Sequence, residues 1–98
     1  MLTTSQIVDD LWETATGAKL GDAYLAWRRG SRGPMSIECL HLANRTPSVR
    51  KLERLGLVEV KDFGDEPLGE WRILSRRGIK VGRLLVARWN RENPEDQL

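Results

Sequence analysis

The stretch TPSVRKLERLGLVEV, residues 46–60, constrains the fold more than any other part of the chain. Thr46 is a capping residue type, and Pro47 follows at the first helical position, where its missing amide hydrogen costs nothing. At about 100° per residue, Val49, Leu52 and Leu55 fall on one side of the predicted helix, and Arg50, Lys51 and Arg54 on the opposite arc. Gly56 stands where a left-handed C-cap is expected. No linker follows: the chain runs directly into LVEVKDF, an apolar, β-branched strand. The helix and the strand must therefore share one core.

A second strand is predicted over residues 70–74, with Trp71 and Ile73 on one side. The six-residue, turn-rich segment GDEPLG joins it to the first (57–63), making a hairpin. Upstream, Thr3 and Gln6 fit a capping box for a first helix that places Ile7, Val8, Leu11, Trp12 and Ala15 on one face. Asp9, Asp10 and Glu13 take its other face, and Gly17 is the expected stop. A short second helix is expected from Asp22, as its cap, to Arg29. RRGSRGP (28–34) reads as a loop, and Ser36 as the cap of a helix reaching about Asn44. Ser75 caps a final helix whose apolar arc is Ile79, Gly82, Leu85, Val86 and Trp89. The acidic, proline-interrupted tail is expected to fray.

Ninety-eight residues allow one domain, with a core over about 20–90 and a tail over 91–98. The composition is that of a soluble globular chain, and no run approaches the roughly 18 apolar residues of a membrane span. Residues 1–10 show neither a basic nor an apolar leader region. Cys39 has no second cysteine to pair with, so a reducing, cytoplasmic setting is expected. The net charge of +2 conceals strong segregation. Residues 28–54 carry Arg28, Arg29, Arg32, Arg45, Arg50, Lys51 and Arg54 against Glu38 and Glu53, and residues 71–91 carry seven basic groups and no acid. Residues 55–70 are acidic, with Glu59, Asp62, Asp65, Glu66 and Glu70 against Lys61. Such a chain can present a basic face while staying near neutral overall.

Catalytic chemistry finds little to build on. His41 is the single histidine, and Cys39, two residues away, falls on a different side of the predicted helix, which spoils joint metal ligation. The carboxylates over 62–70 do not match a calcium loop, and the glycines match neither a P-loop nor a dinucleotide fingerprint. No enzyme activity, metal or cofactor is expected. Trp12, Trp27, Trp71 and Trp89 lie on apolar faces of predicted elements and are expected in the core.

After the first helix, three helices, a two-stranded hairpin and a last helix follow one another in the order of a winged helix. SVRKLERLGLVEV, followed after the hairpin by WRILSRRGIKVGRLL, resembles the recognition-helix-to-wing segment of MarR- and PadR-type transcriptional regulators. The resemblance covers about residues 36–89. It implies a mainly α fold with a small β-hairpin (α+β): a winged helix with extra N- and C-terminal helices. It also implies a small DNA-binding regulator, dimeric through its terminal helices, with Trp89, Leu85 and Val86 available for that interface. Two departures stand out. The segment between Ala43 and Val49 is shorter than usual, and the wing carries Asp62, Asp65 and Glu66, which would repel phosphates.

The expected interface places helix 46–55 in the major groove of double-stranded DNA. Ser48, Arg50, Lys51 and Arg54 would face the groove, and Arg45, Arg28, Arg29 and Arg32 would hold the flanking backbone. The bland reading of the same residues is a solvated charged face on a core helix. The competing class is a winged-helix adaptor or inhibitor of phage or plasmid type that docks on a protein, through the acidic wing or the basic face, and binds no DNA.

Overall fold

A computed structural model describes residues 2–29, 47–62 and 70–98, and gives the backbone but not the side chains of residues 61, 62 and 70–72. Among these residues the chain is mainly helical: α1 (Thr4–Leu11), α2 (Ala15–Arg28), α3 (Pro47–Arg54) and α4 (Arg76–Glu92), with a two-stranded antiparallel sheet of β1 (Val58–Asp62) and β2 (Glu70–Leu74). The expected helix over 36–44, with Cys39 and His41, lies outside the described residues, as do the Thr46 cap and the hairpin turn.

The first helix starts as its sequence predicts. Thr3 Oγ1 accepts the Gln6 amide at 3.2 Å while Gln6 Oε1 accepts the Thr3 amide at 2.8 Å, so two otherwise orphaned donors are satisfied reciprocally. Gly17, however, is not its stop. The helix ends at Leu11, with Glu13 turned to a φ of 60°, and Thr14 rather than Asp22 caps the next helix, accepting the Gly17 amide at 3.0 Å. Thr14 also donates to the Leu11 carbonyl at 2.7 Å, tying the two helices at their joint. Gly17 sits inside α2 because a Cβ there would come within 2.1 Å of the Leu11 carbonyl oxygen. Ala15, assigned by periodicity to the first helix, begins the second and is exposed.

α2 runs through the middle of the molecule, against α1, α3 and α4. Its buried residues, Leu20, Ala23, Tyr24 and Leu25, therefore leave no clean one-sided stripe. The core also takes Ile7 and Leu11 from α1, Val49 and Leu52 from α3, Leu57 and Val58 from the corner, Leu74 from β2, and Val81, Leu85 and Val86 from α4. Leu55, Ile73, Ile79 and Trp12 pack at its edge. Two tryptophans expected inside are on the surface: Trp27 is 44% and Trp89 38% exposed. The buried stripe of α4 is rotated toward Gly78 and Val81, which carries Trp89 out to its margin. The Trp71 side chain is outside the described residues.

In the sheet Val58 pairs with Leu74 and Asp62 with Glu70. Val58 and Leu74 are buried and Ile73 packs at the edge of the core, whereas Val60, on the same side of the strand as Val58, is 50% exposed. The hairpin is thus rooted in the core through its first pair.

Candidate nucleic-acid interface

The corner after α3 is closed first by local hydrogen bonds. The Gly56 amide donates to the Glu53 carbonyl at 3.0 Å and the Leu57 amide to the Leu52 carbonyl at 3.0 Å. With Gly56 at φ +73°, this is the paired arrangement of a Schellman cap, and Leu52 and Leu57, both fully buried, supply its usual apolar contact. Ser75 completes the lock. Its Oγ donates to the Gly56 carbonyl at 2.7 Å and accepts the Gly78 amide at 3.0 Å, while its backbone amide donates to the Leu57 carbonyl at 3.0 Å. One serine therefore caps α4 and fastens it to the end of α3.

This framework fixes which side chains α3 turns outward. Val49 and Leu52 are fully buried, and Arg50 and Arg54 are exposed, with no ion pair to another described residue. These two lie on the outward side, opposite Val49 and Leu52, whereas Lys51 and Ser48 each meet another helix. Lys51 Nζ lies 3.2 Å from Asp10 Oδ2, so it leans toward α1. Ser48 is half-buried and its hydroxyl accepts from Thr16 at 3.2 Å, so it faces α2. Both partners come from distant helices, and nothing in the local sequence around α3 signals them.

The expected backbone-holding arginines divide as well. Arg28, in the last turn of α2, stacks over the Tyr24 ring at 5.8 Å and donates to the Leu98 carbonyl at 3.4 Å. It is thereby engaged with the tail. Arg29 is the exposed C-cap of α2. Arg32 and Arg45 lie outside the described residues, as do Asp65 and Glu66 of the wing and the Asp62 side chain.

The dimer expectation also changes in detail. Leu85 and Val86 are buried within one chain on the inner face of α4, which leaves only Trp89 of the three proposed residues at the surface. The tail, predicted to fray, turns back along α4: Trp89 Nε1 donates to the Asp96 carbonyl at 3.0 Å and the Leu98 amide to Asn90 Oδ1 at 2.7 Å. An apolar cavity of about 220 Å³ opens there, among Trp12, Ala18, Gly21, Val86, Trp89 and Leu98.

Among the described residues no three carboxylate, histidine or cysteine side chains stand close enough to hold a metal ion, and no helix is long and apolar enough to cross a membrane. No protein-family model matches the chain, and neither a curated protein nor a solved structure is significantly similar to it.

Proposed function

We propose that the chain is a winged-helix protein that binds double-stranded DNA as a small cytoplasmic transcriptional regulator, with α3 in the major groove. The observation that carries this reading is the outward face of α3. Arg50 and Arg54 stand exposed one turn apart, on a helix fixed from behind by Val49, Leu52 and the Gly56–Ser75 lock. Arginines spaced in this way can each pair with guanine O6 and N7. Lys51 and Ser48 contribute less than their positions in the sequence suggest, because each already has a partner. Arg29 extends the positive charge beyond α2.

Replacing Arg50 and Arg54 together by alanine tests the reading. Specific affinity should fall by about 1–3 kcal/mol for each bidentate arginine–base pairing that the change removes. Unchanged affinity and unchanged sequence preference would remove α3 from the DNA interface.

The adaptor reading keeps one observation in its favour. Glu59 and Val60 are exposed on β1 beyond the root of the hairpin, an acidic and apolar pair better suited to a protein than to phosphates. Retention on heparin and on random duplex DNA at low and moderate salt separates the two. An adaptor would bind neither.

A further inference from the structure

α4 carries a second basic face that the α3 reading does not use. Arg76, Lys80, Arg83 and Arg91 are all exposed. At about 100° per residue they fall within one outward arc, and at 1.5 Å per residue they span about 22 Å. Only Leu84, Ala87 and Asn90 stand among them, and no acidic side chain of α4 interrupts the row. Asp9 of α1, paired with Arg88, lines the same surface hollow as Lys80 and Arg91. None of the four has an ion pair to another described residue. The two remaining cations of the helix are occupied: Arg77 donates to the Leu2 carbonyl, and Arg88 lies 4.5 Å over the Trp12 ring and 3.0 Å from Asp9.

The place of this row in the fold matters as much as its charge. α1 binds a cation from each of α3 and α4, Lys51 on Asp10 and Arg88 on Asp9. The exposed arginines of α3 and the row on α4 are thus two groups of cations, each with a carboxylate of α1 beside it. A single straight duplex laid over α1 to reach both would meet Glu13, exposed and without an ion pair to another described residue, and would be repelled there. A row of four free cations also works against pairing two copies of α4 through this face, because an antiparallel partner would set Lys80 and Arg83 near Arg91 and Arg88. A membrane surface is a poorer fit, since the apolar side of α4 is committed to the core and, on the face that carries the row, only Leu84 is available to insert. An extended chain of phosphates satisfies the row without any of these conflicts.

We propose that the outward face of α4 binds the phosphate backbone of a second duplex segment without reading its sequence, so that one chain bridges two segments. The proposal rests on the reading of α3 as the first DNA-binding face. Three of its four cations are arginines, which pair with phosphate oxygens in the plane of the guanidinium. Each contact should add about 0.9 to the slope of log affinity against log salt.

The test is capture of a fluorescent 30-base-pair random duplex by an immobilised duplex of the same length, with the protein as the only link. Wild type, the variant Lys80→Ala/Arg83→Ala/Arg91→Ala and the variant Arg50→Ala/Arg54→Ala are compared. The α4 variant should still bind the immobilised duplex but should lose bridging at least about tenfold, and its total salt slope should fall by about 2–3. Bridging that survives in the α4 variant overturns the proposal and leaves the α3 reading intact. Loss of bridging in the α4 variant, with binding undiminished in the α3 variant, leaves α4 as a DNA-binding face but sinks the α3 reading, and the bridge between α3 and α4 falls with it. A wild type that binds no duplex overturns both. Vesicles of phosphatidylglycerol and phosphatidylcholine make the last arm: if the row retains the protein on these and not on duplex DNA, its ligand is a lipid surface and the proposal fails.

Discussion

The two ends of α4 meet the rest of the chain in different ways. At its N-terminus the contact is backbone against backbone: Ser75 is hydrogen-bonded to Gly56, Leu57 and Gly78, and the Gly78 Cα lies flush on the Leu57 carbonyl. At its C-terminus the contact is made by side chains, the exposed Trp89 and the half-buried Asn90, reaching a returning tail over a cavity of about 220 Å³. Backbone groups cannot repack and side chains can, so the first end has one geometry available and the second has several. The difference bears on function, because the rigid end is the one that orients α3.

The sharpest way to break this comparison is to add one methyl group at the rigid end. A Cβ on Gly78 would sit 1.9 Å from the Leu57 carbonyl oxygen and 2.9 Å from its carbon, with no flexible side chain to give way. Gly78→Ala should cost near the top of the roughly 1–3 kcal/mol seen for overpacking. The gain of about 1 kcal/mol from better helix propensity does not offset it. Urea denaturation should show this as a lower midpoint with an unchanged slope. A midpoint that does not move would mean that the contact between α4 and the corner is loose.

The corner was the most legible part of the sequence, and the reason is its locality. Gly56 as C-cap and Ser75 as N-cap each act within a few residues of themselves, so these roles follow from residue type and spacing. The same holds for Thr3 with Gln6. The bonds of Ser75 to Gly56 and Leu57, by contrast, exist only through the tertiary fold. The joint between α1 and α2 was not legible. It turns on Glu13 in a left-handed conformation, which a glutamate rarely adopts, and the glycine that would normally mark a stop is held inside α2 by a contact with Leu11. α2 itself was read too short because a helix packed on three sides loses the one-sided pattern by which periodicity recognises it. In the candidate interface, Arg50 and Arg54 were readable from their phase relative to Val49 and Leu52. Ser48 and Lys51 were not, because Thr16 and Asp10 reach them only through the tertiary fold.

At the loose end the same substitution should have the opposite sign. Gly21 lies within α2 and lines the cavity, and a Cβ added there would meet only the Val86 Cγ2 at 3.9 Å, ordinary van der Waals contact. Gly21→Ala should therefore stabilise the protein by about 0.5–1 kcal/mol, mainly by restricting the unfolded chain. Two glycine-to-alanine changes on facing helices would then move the urea midpoint in opposite directions. Destabilisation by Gly21→Ala would show that the cavity end is as tightly fitted as the corner.

The smallest effect should come from cutting the tail free. Asn90 makes both of its hydrogen bonds to Leu98, accepting the amide at 2.7 Å and donating to the carbonyl at 3.5 Å, and both are exposed to water. Exposed hydrogen bonds exchange readily for bonds to solvent, so Asn90→Ala should shift global stability by no more than about 0.5 kcal/mol. Its signature is local. The Leu98 amide should lose its protection from hydrogen exchange, while the core amides of Leu52 and Leu57 keep theirs. Arg28 shares the Leu98 carbonyl, so freeing the tail also removes one of that arginine's partners. If α2 holds Arg28 through Tyr24 alone, the ring contact at 5.8 Å should survive and the Tyr24 environment should not change. If core protection falls together with that of Leu98, the tail is coupled to the body of the fold, and the two ends of α4 are more alike than their contacts suggest.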